Sequence, residues 1–238
     1  MVWKARSIAF GCFLAIKILA WMDASQVPQQ VQQQQQQQQE QALAEARIWK
    51  FLSDEAYLTG MDVPLLKMYG ACPTEDGRHF CILMELCSGG TLDDAMSSAT
   101  TTTTITATTT SLSSSSSSSE VEEKAAALAH SMARALHFCH VRGVLHLDVK
   151  PENILFPTAE CRRTWRGARL ADFGLAQLFP RGRTHVILKG GSSCKGTCGY
   201  MAPEVITHGA YSPAADAWSL GAVLLQALTG FLPPHNPH

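Results

Sequence analysis

Asp148 and Asn153 stand five positions apart in His146-Leu147-Asp148-Val149-Lys150-Pro151-Glu152-Asn153. The stretch reads as a short polar loop after a helix. A carboxylate placed there can accept a proton from a hydroxyl nucleophile. Lys150, two residues on, can neutralise charge on a transferring phosphoryl group. The side-chain carbonyl of Asn153 suits a hard cation such as Mg²⁺. About twenty residues later Asp172-Phe173-Gly174 follows an apolar run, and Asp172 offers a carboxylate to the same ion. Either motif alone has a bland reading as a polar turn. The two in this order and at this spacing point to metal-assisted transfer to a hydroxyl.

The elements that must position these residues read as a strand-rich start and a helix-rich second half. A signal peptide or membrane anchor is one reading of the run Ile8 to Trp21, but Lys17 interrupts it, and it is short for a bilayer span. Strands fit better: Val2–Ala5, a turn at Gly11, then Phe13–Leu19. Apolar spacing predicts a helix over Gln41–Leu52, from Leu43, Ala46 or Ile48, and Phe51 or Leu52. His79–Leu86 reads as a strand ended by Gly89-Gly90. Ser119-x-x-Glu122 resembles a capping box that opens a long helix, closed by Gly143. Ile154–Phe156 and Ala168–Ala171 suit two short strands. Ser212-Pro213 opens a further helix, apolar nearly all round, running to Gly230.

Two low-complexity tracts interrupt this order, Gln-rich over about 26–41 and Thr/Ser-rich over about 97–119. Neither has apolar surface to offset its ordering entropy, so both are expected to be disordered insertions.

The bulk numbers bound the rest. The chain has 238 residues, net charge −1 and 46% hydrophobic residues. That suffices for a sizeable core in one large domain or two small lobes. A charge near zero gives no reason to expect nucleic acid or an anionic membrane as partner. Eight cysteines lie without paired spacing, which suits reduced thiols in a cytoplasmic or nuclear setting. Cys194 and Cys198 form one C-x3-C with no second ligand pair to complete a zinc site.

Taken together the motifs resemble the eukaryotic protein kinase family. The resemblance implies an α+β, two-lobed fold: residues 1–86 a small β-rich N-lobe, residues 87–238 a hinge and helical C-lobe. It also implies ATP-dependent transfer of the γ-phosphate to Ser or Thr hydroxyls of protein substrates. Ala15-Ile16-Lys17 resembles the strand bearing the lysine that contacts the ATP α- and β-phosphates, and Glu45 its helix partner; a solvated helix carboxylate is the other reading of Glu45. Met84-Glu85-Leu86-Cys87 resembles gatekeeper and hinge, so the backbones of Glu85 and Cys87 would bond adenine. Val2, Ala15 and Leu155 would sandwich the ring. His146, Asp148, Lys150 and Asn153 match the catalytic loop, with Lys150 in the pattern of serine/threonine-specific members. Asp172 matches the metal aspartate. Gly196-Thr197-Cys198-Gly199-Tyr200-Met201-Ala202-Pro203-Glu204 matches the end of the activation segment, where Thr197 would bond the catalytic Asp148 and Lys150. Asp216-x-Trp218-Ser219-x-Gly221 matches the buried helix whose aspartate holds the catalytic-loop backbone.

The sequence also departs from the pattern. No glycine-rich loop precedes Val2, and the family's later helices, with the arginine that would meet Glu204, do not follow His238; the resemblance thus implies a kinase domain truncated at both ends. Leu147 stands where the family has an arginine that pairs with a phosphorylated activation-segment residue; the resemblance implies either activity less dependent on that modification or drift in a degenerate copy. Arg162, Arg163 and Arg166 read as solvated surface, as do Arg181, Arg183, Lys189 and Lys195, for which a basic segment favouring acidic substrates is the other reading. A pseudokinase, using the fold as a nucleotide-binding or scaffold module, is the second functional reading. The motif set leans toward calcium/calmodulin-dependent-like kinases, without an EF-hand loop in the sequence. Oligomeric state is not legible.

Overall fold

The computed structural model describes residues 2–7, 13–20, 29–105, 118–180, 185–187 and 195–233. The expectations at Gly11, Trp21, Arg181, Arg183, Lys189 and Cys194, and for residues 26–28 and 106–117, lie outside them. The chain divides into two compact units, Met1–Cys87 and Ser88–His238.

The first unit carries a four-stranded antiparallel sheet. In chain order its elements are β1 (Val2–Arg6), β2 (Phe13–Ala20), helix α1 (Gln29–Thr59), β3 (Met68–Pro73) and β4 (His79–Glu85). Strand order is β1-β2-β4-β3. Strands β1 and β2 pair antiparallel, with Val2 opposite Lys17 and Lys4 opposite Ala15. Alternation along β4 buries Phe80, Ile82 and Met84 on one face. Because Ile82 pairs Lys17 and Met84 pairs Ala15, those two β2 residues share that face. Strand β3 was not foreseen. Gly70 and Pro73 weaken its propensity, and an edge position tolerates both.

Helix α1 corrects two expectations. It begins at Gln29, so the glutamine tract from there on is helical. Its buried stripe is Ala42, Glu45, Ala46, Trp49 and Leu52, while Phe51 is exposed and Leu43 and Ile48 are half-buried. The indole N–H of Trp49 donates to the Leu66 carbonyl at 2.7 Å. Burying Trp49 and Leu52 contributes on the order of 1.5–3 kcal/mol each, which anchors the C-terminal half. Once a helix is nucleated, adding residues of good propensity such as Gln is close to neutral. Anchorage of the C-terminal half thus carries the helix back through the glutamines to Gln29.

The second unit runs α2 (Leu92–Ile105), α3 (Ser118–Val141), β5 (Val144–Leu145), a 3-10 turn (Pro151–Asn153), β6 (Ile154–Leu155), α4 (Ala159–Thr164), β7 (Arg169–Leu170), β8 (Gln177–Leu178), β9 (Val186–Ile187), α5 (Pro203–His208), β10 (Ala210–Tyr211) and α6 (Pro213–Thr229). The Thr/Ser tract is helical up to Ile105 and again from Ser118, which corrects the expected disorder at both ends of it. Helices α3 and α6 pack together. Leu128, Met132, Ala135 and Cys139 form the buried face of α3. That helix stops where Gly143 takes φ +73°; a Cβ there would meet the Phe179 carbonyl oxygen at 2.8 Å.

The sequence signals for α6 translate directly. The Ser212 hydroxyl accepts from the Ala214 N–H at 3.2 Å, Pro213 opens the first turn, and Gly230 closes the helix at φ +79°. Its burial is one-sided rather than complete. Ala215, Asp216, Ser219, Leu220, Ala222 and Val223 are buried, whereas Trp218, Leu225 and Leu228 are exposed. No described helix is long and apolar enough to cross a membrane.

Candidate active site

Asp148 lies in the loop between β5 and the 3-10 turn, and the loop is held from below. Asp216 on α6 is 1% exposed. Its Oδ2 accepts from the His146 backbone N–H at 3.0 Å and its Oδ1 from the Leu147 N–H at 2.8 Å. His140 Nε2 lies 2.7 Å from the same Oδ2. Leu147 sits at φ +65°, a conformation costing a non-glycine residue roughly 1–2 kcal/mol. A hydrogen bond to a charged acceptor contributes about 1.5–3 kcal/mol. The Asp216 carboxylate therefore suffices to hold the kink that turns Asp148 outward from the buried helix.

His146 fixes the loop from a second side. The Asp148 N–H donates to His146 Nδ1 at 3.3 Å, so the ring hydrogen resides on Nε2, which donates to the Ala171 carbonyl at 3.0 Å. Burial pushes the imidazole below its usual value, against the opposing pull of Asp216, the Ala171 carbonyl, Asp148 and Asp172. A neutral ring is what this pair of bonds needs. The ring meets Phe173 edge-on, with centroids 5.1 Å apart.

Asp148, Lys150, Asn153 and Thr197 are brought into one bonded group. The Thr197 hydroxyl donates to Asp148 Oδ1 at 2.6 Å and accepts from Lys150 Nζ at 2.9 Å. Lys150 Nζ also lies 2.8 Å from Asp148 Oδ2. The Asn153 amide nitrogen donates to the Asp148 backbone carbonyl at 2.8 Å and to its Oδ2 at 2.9 Å. That use of the nitrogen leaves the Asn153 carbonyl oxygen as the atom available to a cation. Asp172 is tied to the same place through the backbone: Ile154 pairs Leu170, Leu155 pairs Arg169, and the Ala171 N–H donates to the Asn153 carbonyl at 2.9 Å. Asp172 itself takes φ +64°, with the Gly174 N–H donating to its Oδ1 at 3.2 Å. The donor set of carboxylate and amide oxygens suits Mg²⁺ rather than a soft metal. Among the described residues no group of three or more His, Cys, Asp or Glu side chains is placed to hold an ion.

In the first unit, Lys17 Nζ and Glu45 Oε1 form an ion pair at 2.7 Å, with side chains 20% and 6% exposed. The structure thus decides between the two readings of Glu45: it is a buried partner, not a solvated carboxylate. Val2 lies across from Lys17 and is exposed, Ala15 is buried, and Glu85 and Cys87 are half-buried. Leu155, in the second unit, is half-buried.

Residues 2–238 match the protein kinase domain family. The chain belongs to that family. It is 35% identical over 159 residues to serine/threonine-protein kinase PEPKR2 of Arabidopsis thaliana, a match covering 67% of this chain and 27% of that protein. Identity to CDPK-related kinase 3 of the same plant is 33% over 190 residues, covering 79% and 26%. Calcium-dependent protein kinase 22 of Oryza sativa subsp. japonica is 34% identical over 172 residues, covering 71% and 24%. The chain spans about a quarter of the length of these relatives.

Two features of this kinase domain escaped the sequence reading. His140 is the last-turn residue of α3 that reaches Asp216, and only the fold brings it there, 76 positions away. Arg162 is half-buried and bonded rather than freely solvated. Its Nη2 donates to the Asp94 carbonyl and to the Ser98 hydroxyl, each at 2.7 Å, tying α4 to α2. Arg163 does pair on the surface, with Glu160 at 2.7 Å and both side chains largely exposed. Leu147 is 7% exposed and packs in an apolar cluster with Leu145, Ala202, Val205, Tyr211 and Ala215.

Proposed function

We propose that the chain is the catalytic part of a protein serine/threonine kinase, transferring the γ-phosphate of ATP to Ser or Thr hydroxyls of protein substrates. The observation that carries this reading is the bonded group of Asp148, Lys150, Thr197 and Asn153. Asp148 takes the proton of the acceptor hydroxyl, and Thr197 and Lys150 keep its carboxylate in one orientation. Lys150 holds its positive charge where negative charge develops in transfer. Lys17, oriented by Glu45, binds the α- and β-phosphates. Val2 and Ala15 would contact the adenine, which would bond the backbones of Glu85 and Cys87, and Leu155 is assigned to the same ring. Asn153 and Asp172 would hold Mg²⁺ by their side-chain oxygens. When bound, ATP would supply the phosphoryl group and Mg²⁺ would neutralise its oxygens. Every contribution of the chain is then positioning or charge, as phosphoryl transfer requires.

Serine/threonine specificity is supported by Lys150 and by relatives such as PEPKR2, whose name describes a serine/threonine-protein kinase. The apolar packing of Leu147 supports a further part of the reading: the catalytic loop meets the segment before α5 by burial rather than through a phosphate, so activity does not wait on phosphorylation there. The site is expected to work inside the cell, on protein substrates.

The test is transfer of labelled phosphate from ATP to a Ser/Thr peptide library by the purified full chain, with Asp148→Ala alongside. Transfer by the wild type and its loss in the variant, with nucleotide binding kept in both, is the expected result. Nucleotide binding with no transfer in the wild type would instead identify a pseudokinase.

A further inference from the structure

Cys72 on β3 and Cys81 on β4 are nine positions apart in sequence, yet they stand directly opposite one another in the sheet. Both are free thiols; Cys72 is exposed and Cys81 half-buried. Residues directly opposite on antiparallel strands point to the same face. Cys81 also faces Ile18 on β2, whereas the next residue, Ile82, faces Lys17. The two sulfurs therefore share the sheet face opposite to the one that carries Lys17.

Their pairing geometry follows from the ladder. Thr74 N–H donates to the His79 carbonyl at 2.9 Å, so Thr74 and His79 form a hydrogen-bonded pair. Pro73 and Phe80 come next, at a position that asks no N–H of the proline. Cys72 and Cys81 are then hydrogen-bonded partners again. Such partners have Cα atoms about 5.5 Å apart, inside the range of roughly 4.4–6.8 Å that a disulfide spans. Side chains at these positions diverge slightly more than an unstrained disulfide prefers, which makes a bridge readily reducible.

We propose that Cys72 and Cys81 are a reversible cross-strand redox pair, oxidised by hydrogen peroxide to a disulfide that ties the edge strand β3 to β4. Exposed Cys72 meets the oxidant first. Its thiolate attacks one peroxide oxygen, giving a sulfenic acid and hydroxide. The Cys81 thiolate then attacks that sulfur, forms the S–S bond and expels a second hydroxide. The two thiol protons combine with the two hydroxides, so two thiols and one peroxide give one disulfide and two waters. Burial, with the neighbouring Cys72 and Asp76 adding to it, pushes the Cys81 thiol above its usual value. The second step therefore quickens as pH rises from 7 toward 9, because more Cys81 is ionised.

The test uses the purified full chain, treated with hydrogen peroxide, alkylated to block remaining thiols and digested with trypsin. Arg78 lies between the two cysteines, so cleavage there puts them on separate peptides that only a disulfide joins. The expected product is that joined pair, released by dithiothreitol and unchanged by Cys87→Ser. In Cys81→Ser the pair disappears and a sulfenic acid at Cys72 is trapped by dimedone. In Cys72→Ser it disappears without such trapping at Cys81. Recovery of Cys72 joined to another cysteine, or of both thiols alkylated and unjoined after peroxide, overturns the proposal. The readout is chemical and does not depend on phosphate transfer, so it stands apart from the proposed activity.

Discussion

Lys17 and Asp148 are both held by a partner, but in different ways. In the first unit Lys17, on a sheet strand, pairs with Glu45 on a helix. In the second, Asp148 receives hydrogen bonds from Thr197 and Asn153 and an ion pair from Lys150, and the loop beneath it hangs on Asp216. The Lys17–Glu45 pair bridges a strand and a helix, so a shift of either element alters it. A bonded group with a buried anchor cannot be dismantled without loosening its loop. The difference suggests an adjustable grip in one unit and a rigid one in the other.

The largest expected effect tests the rigid side. Asp148→Ala should lower transfer by on the order of 10²–10⁴, the usual worth of a positioned general base. Nucleotide affinity, measured by calorimetry, should stay within a few-fold. A variant as active as the wild type would remove Asp148 from the role assigned to it.

Asp216→Ala should come next, and it should act on stability as well as rate. It strips the acceptor from two N–H groups of His146 and Leu147 and leaves the φ of Leu147 without its compensation. Each orphaned buried donor costs about 1–3 kcal/mol. A loss of several kcal/mol in urea unfolding is expected; an unchanged midpoint would show the loop to be held by the Leu147 cluster alone.

How far the sequence could foresee this contrast depended on the range of the signals. Asp148, Lys150, Asn153 and Asp172 were legible because motif spacing along the chain encodes them. The C-terminal end of α3 and both ends of α6 were legible because Gly143, Ser212 and Gly230 are local stereochemical signals, whereas Ser119, read as the cap that opens α3, lies inside the helix. Strand β3 was not, since an edge strand tolerates the Gly70 and Pro73 that argue against it. Nor was the helical state of the glutamines, which depends on burial of Trp49 and Leu52 further along the chain. His140 and Arg162 were missed for a related reason: their partners are 76 and 64–73 positions distant, and nothing local marks them.

Glu45→Gln tests the adjustable side. Gln keeps the shape and an acceptor oxygen but loses the charge that orients Lys17. A hydrogen bond between charged groups exceeds a neutral one by roughly 1 kcal/mol, so the KM for ATP should rise several-fold to about tenfold. The unfolding midpoint should move little. Should stability fall as far as in Asp216→Ala, the two anchors would be alike and the contrast would fail.

The smallest effect is one of pH, and it separates the two units because His146 belongs to the rigid one. Its folded-state value is lowered by burial, so the unfolded chain binds the proton more readily than the folded one. Stability then rises with pH where the unfolded histidine titrates. It is fully present above about 6.5, the ordinary histidine value, and is lost progressively as pH falls from there toward the lower folded value. Protonation would also end the acceptance at Nδ1 of the Asp148 N–H, so the same titration loosens the catalytic loop. Thermal unfolding followed from pH 7.5 to 5.5 should show a falling midpoint, with a shallower slope in His146→Gln. Equal slopes in the two proteins would place the acid sensitivity elsewhere and leave the neutral ring without energetic consequence.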